Sequence, residues 1–246
     1  MKVVILGATK GIGRALARQM SARGDHLHLL GRDLEELSRC GRDLGVRSPA
    51  AAPVSWSHCD LDDPNSFRPA LDRAMQELGG LDAVVVTAGL FATQERLEQD
   101  HEFLRRLLTV NFGHTVLFCE EARKQLLLRG GGTLCVFSSV AGERGRKPVV
   151  LYGAAKAGLT RYLEGLDHKY RSQGLKTVCI KPGFVRTSMT AGLPEPPFAA
   201  DADTVAAASL RAIDRGQPVA YVPAIWALVI AVIRLLPRGV MRRLSF

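Results

Sequence analysis

Tyr152 and Lys156 stand four residues apart in a stretch that reads as helix, so the two side chains share a face one turn apart. A free phenol has a pKa of about 10, too high for efficient proton exchange at neutral pH. An ammonium group one turn away favours the phenolate and lowers that value, so the pair points to proton transfer. A second constellation, Gly7-Ala8-Thr9-Lys10-Gly11-Ile12-Gly13, lies between an apolar run and an amphipathic stretch. Glycines there let the chain turn tightly and approach a pyrophosphate, which then sits on the N-terminus of the following helix.

These groups need a frame to hold them. Short apolar runs recur at Lys2–Leu6, His26–Leu30, Val54–His58, Ala83–Val86, Leu134–Phe137, Thr177–Ile180 and Val219–Val222. Amphipathic stretches separate most of them. Gly11–Arg23 carries Ile12, Ala15, Leu16 and Met20 as one stripe, Asp33 can cap the next helix, and Asp63-Pro64 opens another. Apolar strands alternating with helices predict an α/β chain: a single-domain Rossmann-type, doubly wound parallel sheet of about seven strands with helices on both faces. Residues 1–222 form the dinucleotide-binding catalytic domain, and residues 223–246 an apolar and basic helical extension. Arg47–Pro53 reads as a surface loop.

Composition narrows the field. With 246 residues, 47% of them hydrophobic, the chain can bury a sizeable core, which excludes disorder as its main state. The net charge is +9, yet no basic run is interleaved with aromatics, so nucleic acid is not an expected partner. The five cysteines, at 40, 59, 119, 135 and 179, form no CxxC pair and fit a reducing cytoplasm. The six histidines show no metal-ligand spacing, so no metal is expected. The N-terminus runs directly into Val3–Leu6 and does not read as a signal peptide.

Taken in order, Gly7–Gly13, Asp60-Leu61, Ala88-Gly89, Asn111, Ser138-Ser139, Tyr152-Gly-Ala-Ala-Lys156 and Pro182-Gly183-Phe184-Val185-Arg186-Thr187 resemble the short-chain dehydrogenase/reductase family, over about residues 1 to 222. The resemblance implies an oxidoreductase of a carbonyl/alcohol pair. Tyr152 would be the general acid, and Lys156 would support it and hold the cofactor ribose. Ser139, thirteen residues before the tyrosine, would hydrogen-bond the substrate carbonyl, and Asn111 would hold a proton-relaying water. Gly7, Thr9, Lys10, Gly11, Ile12, Gly13, Arg32, Asp60, Leu61, Ala88, Gly89, Tyr152, Lys156, Pro182, Gly183, Val185 and Thr187 would contact the cofactor, Thr187 at its carboxamide. Two departures stand out. Leu6 replaces the family's Thr, and Val86-Thr87 replaces its Asn-Asn; the missing Asn side chains predict weaker local hydrogen bonds in the sheet, with no catalytic group removed. Homodimers or homotetramers are the family habit.

The end of the second strand, Leu30-Gly31-Arg32, lacks the acid that would bind a ribose 2′-hydroxyl, and Lys10 lies in the phosphate loop. Two cations make a clamp for a 2′-phosphate, so NADP(H) is expected over NAD(H). If Asp33 faced the ribose instead, NAD would be preferred.

Two segments bear on the substrate. Gly142–Lys147 places Arg144, Arg146 and Lys147 after the serine, where they could bind a substrate anion. Ala224–Ile233 is an apolar run too short to span a bilayer, followed by Arg234, Arg238, Arg242 and Arg243. It suits equally a helix lying in a membrane interface and a helix buried at a subunit contact. Ser138–Lys147, Leu151–Gly153 and the ending Pro223…Arg234-Leu-Leu-Pro237…Arg242-Arg-Leu resemble decaprenylphosphoryl-2-keto-ribose reductases. That resemblance implies a polyprenyl-phosphate-linked keto-sugar as substrate and a cytoplasmic protein peripheral to the inner membrane face. A soluble reductase of small ketones, 3-ketoacyl thioesters or steroids, and a non-catalytic NADP-binding regulator, are the alternatives.

Overall fold

The computed structural model describes residues 1–48 and 54–244. Residues 49–53, most of the expected loop at Arg47–Pro53, lie outside the described residues. The strands are β1 (Lys2–Leu6), β2 (His26–Gly31), β3 (Ser55–His58), β4 (Ala83–Val86), β5 (Gly132–Phe137), β6 (Leu175–Pro182), β7 (Val185–Arg186), β8 (Ala200–Asp201) and β9 (Val219–Val222). The helices are α1 (Gly11–Ala22), α2 (Leu34–Arg47), α3 (Phe67–Leu78), α4 (Gln94–Gln99), α5 (His101–Leu108), α6 (Thr115–Leu128), α7 (Val150–Tyr170), α8 (Ala202–Arg215), α9 (Ile225–Leu235) and α10 (Arg238–Arg243).

Seven strands form one parallel sheet in the order β3-β2-β1-β4-β5-β6-β9. All seven predicted strands are present. The strand alternation divides the core. Val3 and Ile5 of β1 face Leu16, Met20, Leu37 and Val205 from α1, α2 and α8, while Val4 and Leu6 face Phe67, Leu71, Phe118 and Leu163 from α3, α6 and α7. Each side removes a continuous apolar face from water, which is why the central strands β1 and β4 carry a single polar residue, Lys2.

The sheet grows from β1 in one direction to β3 and from β4 in the other to β9, so its order reverses between β1 and β4. In open parallel sheets, ligands bind beyond the carboxyl ends of the strands at such a switch point. The loops after β1, β4, β5 and β6, which carry most of the singled-out residues, all emerge at that edge.

Candidate active site

The phosphate loop is built around missing side chains. Gly7 has φ of +96°, and a Cβ there would lie 2.7 Å from Ala88 N. A Cβ on Gly13 would lie 2.2 Å from Gly7 O and 2.5 Å from Thr87 Oγ1. Only glycine allows this approach of α1 to β1 and β4. Helix α1 has no side-chain cap and no acid in its first turn, so its first N–H groups and its dipole are free for an anion. The residues therefore fit a dinucleotide pyrophosphate.

Thr87 corrects one expectation. Its hydroxyl sits within 3.1 Å of Leu6 O and 3.0 Å of Gly7 O, and so ties β4 to the phosphate loop from the position of the family's asparagine. The space vacated at Gly13 admits it.

Asp33 is committed to capping. Its Oδ1 accepts from Glu35 N at 3.1 Å and Glu36 N at 3.0 Å, closing the N-terminus of α2. Lys10 and Arg32 are exposed and make no ion pair among the described residues. Asp60 accepts from Asp62 N, and buried Leu61 offers its carbonyl to His114 Nδ1 at 2.6 Å, which fixes the turn after β3. Thr187, after β7, lies over Gly11, whose Cβ would be 3.3 Å from its Cγ2. The two ends of the cofactor motif thus meet across the loop.

The catalytic candidates converge on α7. Its register puts Tyr152 and Lys156 on one face, with Lys156 buried. The turn Ser139–Gly142 lies directly on this helix, since a Cβ at Gly153 would be 2.7 Å from Ala141 O and one at Gly142 2.7 Å from Ala157 N. Ser139 Oγ accepts from Ala141 N at 3.1 Å and reaches Pro182 O at 3.5 Å. Ser138 turns the other way, into hydrogen bonds with Lys156 O at 3.0 Å and Thr160 Oγ1 at 2.8 Å. Ser139 is the serine beside the tyrosine.

Burial raises the Tyr152 phenol to about 12, and the Ser139 hydroxyl offsets part of that rise. The shift is thus opposite to the lowering expected from Lys156. Lys156 Nζ donates to Phe137 O at 2.8 Å, lies 5.8 Å from the centre of the Tyr152 ring, and has its own pKa pulled to about 8 by burial. Desolvation penalises the charged form of each group and sets the direction of both shifts. Phe91 packs edge-on against the Tyr152 ring at 5.1 Å between centres.

Asn111 sits in a π-helical turn, Thr109–His114, between α5 and α6. Its Oδ1 accepts from Leu90 N and its Nδ2 donates to Leu90 O, each at 2.7 Å. It braces the loop after β4, and its Oδ1 would lie 3.2 Å from a Cβ on Gly89, with Lys156 Nζ at 3.8 Å from the same point. Asn111, Gly89 and Lys156 therefore do meet, as the sequence suggests.

The three cations of the serine loop separate into different roles. Arg144 Nη2 donates to Leu236 O at 2.7 Å and holds the C-terminal segment. Lys147 is exposed. Burial lowers the pKa of Arg146, whose Nε is buried without a hydrogen-bond acceptor among the described residues. Glu143 turns inward to an ion pair with Lys181 at 2.7 Å and accepts from Tyr221 Oη at 2.9 Å. Arg234 of α9 lies 3.6 Å from the same carboxylate. Val140 also packs with Ile230 and Ile233 of α9, so the serine loop and the C-terminal helix form one unit.

The family model for short chain dehydrogenases matches residues 1–197. The chain belongs to the short-chain dehydrogenase family. Members of this family are oxidoreductases of CH–OH and C=O groups that use a nicotinamide dinucleotide, and so is this one. An uncharacterized oxidoreductase of Mycobacterium tuberculosis is 33% identical over 244 residues, covering 98% of this chain and 96% of that protein. Carbonyl reductase family member 4 of Xenopus tropicalis is 27% identical over 191 residues, 78% of each chain. Cis-4-hydroxycyclohexanecarboxylate dehydrogenase of Sinomonas cyclohexanicum is 30% identical over 194 residues, covering 78% of this chain and 76% of that one. The solved short-chain type dehydrogenase/reductase from Mycobacterium ulcerans shares the fold, with a TM-score of 0.81, 20% identity, and coverage of 89% and 87%.

Several contributors to this dehydrogenase site carry no motif: Thr87, Phe91, Glu143, and Gln94, whose Oε1 accepts from Leu151 N at 3.1 Å. For Thr87 a signal existed, since it stands where the family's asparagine does. The others come together only in three dimensions.

Proposed function

We propose that this short-chain dehydrogenase is an NADPH-dependent reductase that turns a ketone into a secondary alcohol. The observation that carries it is the convergence of Ser139, Tyr152 and buried Lys156 at the strand edge that holds the glycine cradle. Gly7–Gly13 and the first turn of α1 would hold the pyrophosphate, Lys10 and Arg32 the 2′-phosphate, Lys156 the ribose, and Thr187 the carboxamide. Asp33, the nearest carboxylate in sequence, holds the N-terminus of α2 through its Oδ1, while Lys10 and Arg32 are exposed cations with no ion pair among the described residues, which supports NADP over NAD. When bound, the nicotinamide supplies hydride to the substrate carbon.

The chain's own residues manage the oxygen. Ser139 donates a hydrogen bond to the carbonyl oxygen as negative charge develops there. Burial keeps Tyr152 protonated at neutral pH, the form that reduction requires, and an alkoxide is far more basic than a phenolate, so the proton passes downhill. Lys156 places a cation beside the emerging phenolate.

We assign the substrate to lipid-like carbonyl compounds, and to polyprenyl-phosphate-linked keto-sugars in particular. Arg146, half-buried and with its Nε an unused donor, is the residue for the anionic group, with Arg144 and Lys147 beside it in sequence. A relative named for a cyclic hydroxycarboxylate supports a substrate that carries an anionic group at a distance from the reacting carbon. The outer face of α9 supports a peripheral site at the cytoplasmic side of the inner membrane. Ile225, Leu228, Val232 and Leu235 are exposed there, although no helix among the described residues is long and apolar enough to cross a membrane. Residues 223–246 carry four arginines and no acid, which suits an anionic lipid surface better than pairing with an identical face. The oxidoreductase itself is a homodimer or homotetramer in this proposal.

The test is cofactor absorbance with NADPH and NADH separately, against a panel that includes a polyprenyl-phosphate 2-keto-pentose in detergent. NADPH consumption on that sugar supports the reading. Turnover of small ketones alone overturns the lipid-sugar assignment, and faster NADH consumption overturns the assignment of Lys10 and Arg32.

A further inference from the structure

Trp226, the first aromatic of the C-terminal extension, has a buried indole N–H with no hydrogen-bond acceptor among the described residues. Buried donors are almost always paired, so an orphan demands a reason. Its place suggests one. A Cβ on Gly183 would lie 2.0 Å from Trp226 Nε1, so the indole rests directly on the main chain of the Pro182-Gly183 turn. Ser139 Oγ reaches Pro182 O at 3.5 Å, one residue away. Trp226 also joins the cluster of Val140, the residue after Ser139, with Ile230 and Ile233. The unused donor therefore lies against the residue after Pro182, whose carbonyl Ser139 reaches.

Phe198 lies against the same indole, edge to face, with ring centres 6.3 Å apart. Among the described residues it is the one non-glycine residue with positive φ, +64°, and its side chain is exposed. That conformation is unfavourable for a bulky side chain and marks a segment held by its surroundings. Phe198 lies near the end of the stretch between β7 and β8, which Arg186 ties to Glu195 and Asp201 at 2.6 and 3.0 Å. Phe198 thus packs on the ring whose N–H, set against Gly183, has no acceptor among the described residues.

We infer that Trp226 is a substrate-binding residue, its indole N–H donating to a hydroxyl oxygen of the substrate once Phe198 is displaced. An aromatic surface with a single fixed donor recognises a polyhydroxylated ketone such as a keto-sugar: C–H faces pack on the rings and an oxygen takes the N–H. A ketone without hydroxyl groups leaves the donor unpaired and gains nothing from it. The inference rests on the reductase reading for the position of the reacting carbonyl, and it narrows the substrate class.

The experiment uses the full chain with NADPH and two soluble probes, D-ribulose, a hydroxylated 2-ketone, and cyclopentanone, a cyclic ketone without hydroxyls. Trp226→Phe keeps an aromatic ring and removes the donor. The ratio of kcat/KM for ribulose to that for cyclopentanone is expected to fall about tenfold, the worth of one buried hydrogen bond. An unchanged ratio overturns the inference. A second readout does not need turnover. The chain has two tryptophans, and Trp226→Phe identifies which indole N–H resonance belongs to Trp226. That resonance is expected to move downfield when ribulose is added to the protein with NADP+, and to exchange faster with solvent in Phe198→Gly. An unmoved resonance overturns the inference. If neither soluble ketone is turned over but the resonance shifts, the binding role of Trp226 stands, and the reductase reading is decided separately by the panel with the lipid-linked sugar.

Discussion

The two halves of the site are built by opposite means. Around β1, α1 and β4, the structure works by leaving atoms out: Gly7 and Gly13 remove Cβ atoms that would lie 2.7 and 2.2 Å from their neighbours, and the binding surface is main chain. Around β5, α7 and α9, it works by burying groups: Lys156 and Glu143 are drawn out of water and tied into fixed contacts. The first half is rigid geometry for a ligand part common to the whole family. The second is tuned chemistry. The contrast shows why a phosphate cradle reads directly from spacing, whereas the chemistry of a neighbouring tyrosine depends on what covers it.

Each half predicts its own failure. Ser139→Ala removes the donor facing the carbonyl oxygen, and kcat is expected to drop by ~10²–10³ while NADPH affinity holds, as steady-state kinetics beside a binding titration would show. A parallel loss of affinity would mean the halves are not separable.

Lys156 tests the cost of burial. Its pKa of about 8 in the folded protein lies below the 10.5 of an exposed lysine, so the unfolded chain binds more protons between those values. Stability attributable to this residue therefore rises as pH climbs from about 8 to 10.5 and is lowest below 8. The unfolding free energy of the wild type, measured against Lys156→Met by urea denaturation, is expected to gain about 3 kcal/mol between pH 7 and 10.5. A gap independent of pH would show that Lys156 is not desolvated.

Gly13→Ala challenges the cradle. Its added Cβ would meet Gly7 O, and backbone on both sides must shift, costing about 1–3 kcal/mol. NADPH affinity should weaken by ~10- to 100-fold, seen by fluorescence titration, with little further change in the turnover of saturated enzyme. The smallest effect belongs to Thr87→Val. It removes the hydroxyl that bridges Leu6 O and Gly7 O, and a loss of about 1 kcal/mol in thermal or urea unfolding is expected.

What the sequence made legible follows the same division. The strands appear as apolar runs because both sheet faces are covered, and the glycine loop appears because its function needs absent side chains. Asp33 as a cap and Ser139 over Ser138 were also readable, since both depend on neighbours within a few residues or one helix. The phenol of Tyr152 was not. Its direction of shift is decided by burial, to which Phe91, 61 residues away in the chain, contributes a packed ring. The Glu143–Lys181–Tyr221–Arg234 cluster was hidden for the same reason, since four separate segments supply it. Arg144 shows the limit of counting charges: as sequence it is a candidate for an anion, while in the fold it clamps the chain's own Leu236 carbonyl.

The most direct test compares wild type with Tyr152→Phe, measuring NADPH affinity and the rate of ketone reduction in the same preparation. The phenyl ring keeps the packing against Phe91 and loses only the proton donor. Affinity is expected to hold within about threefold while the rate falls by at least ~10², the usual worth of a positioned general acid. A variant that reduces ketone at the wild-type rate would contradict the assignment of Tyr152 as the acid, and with it the account of this site as a reductase centre.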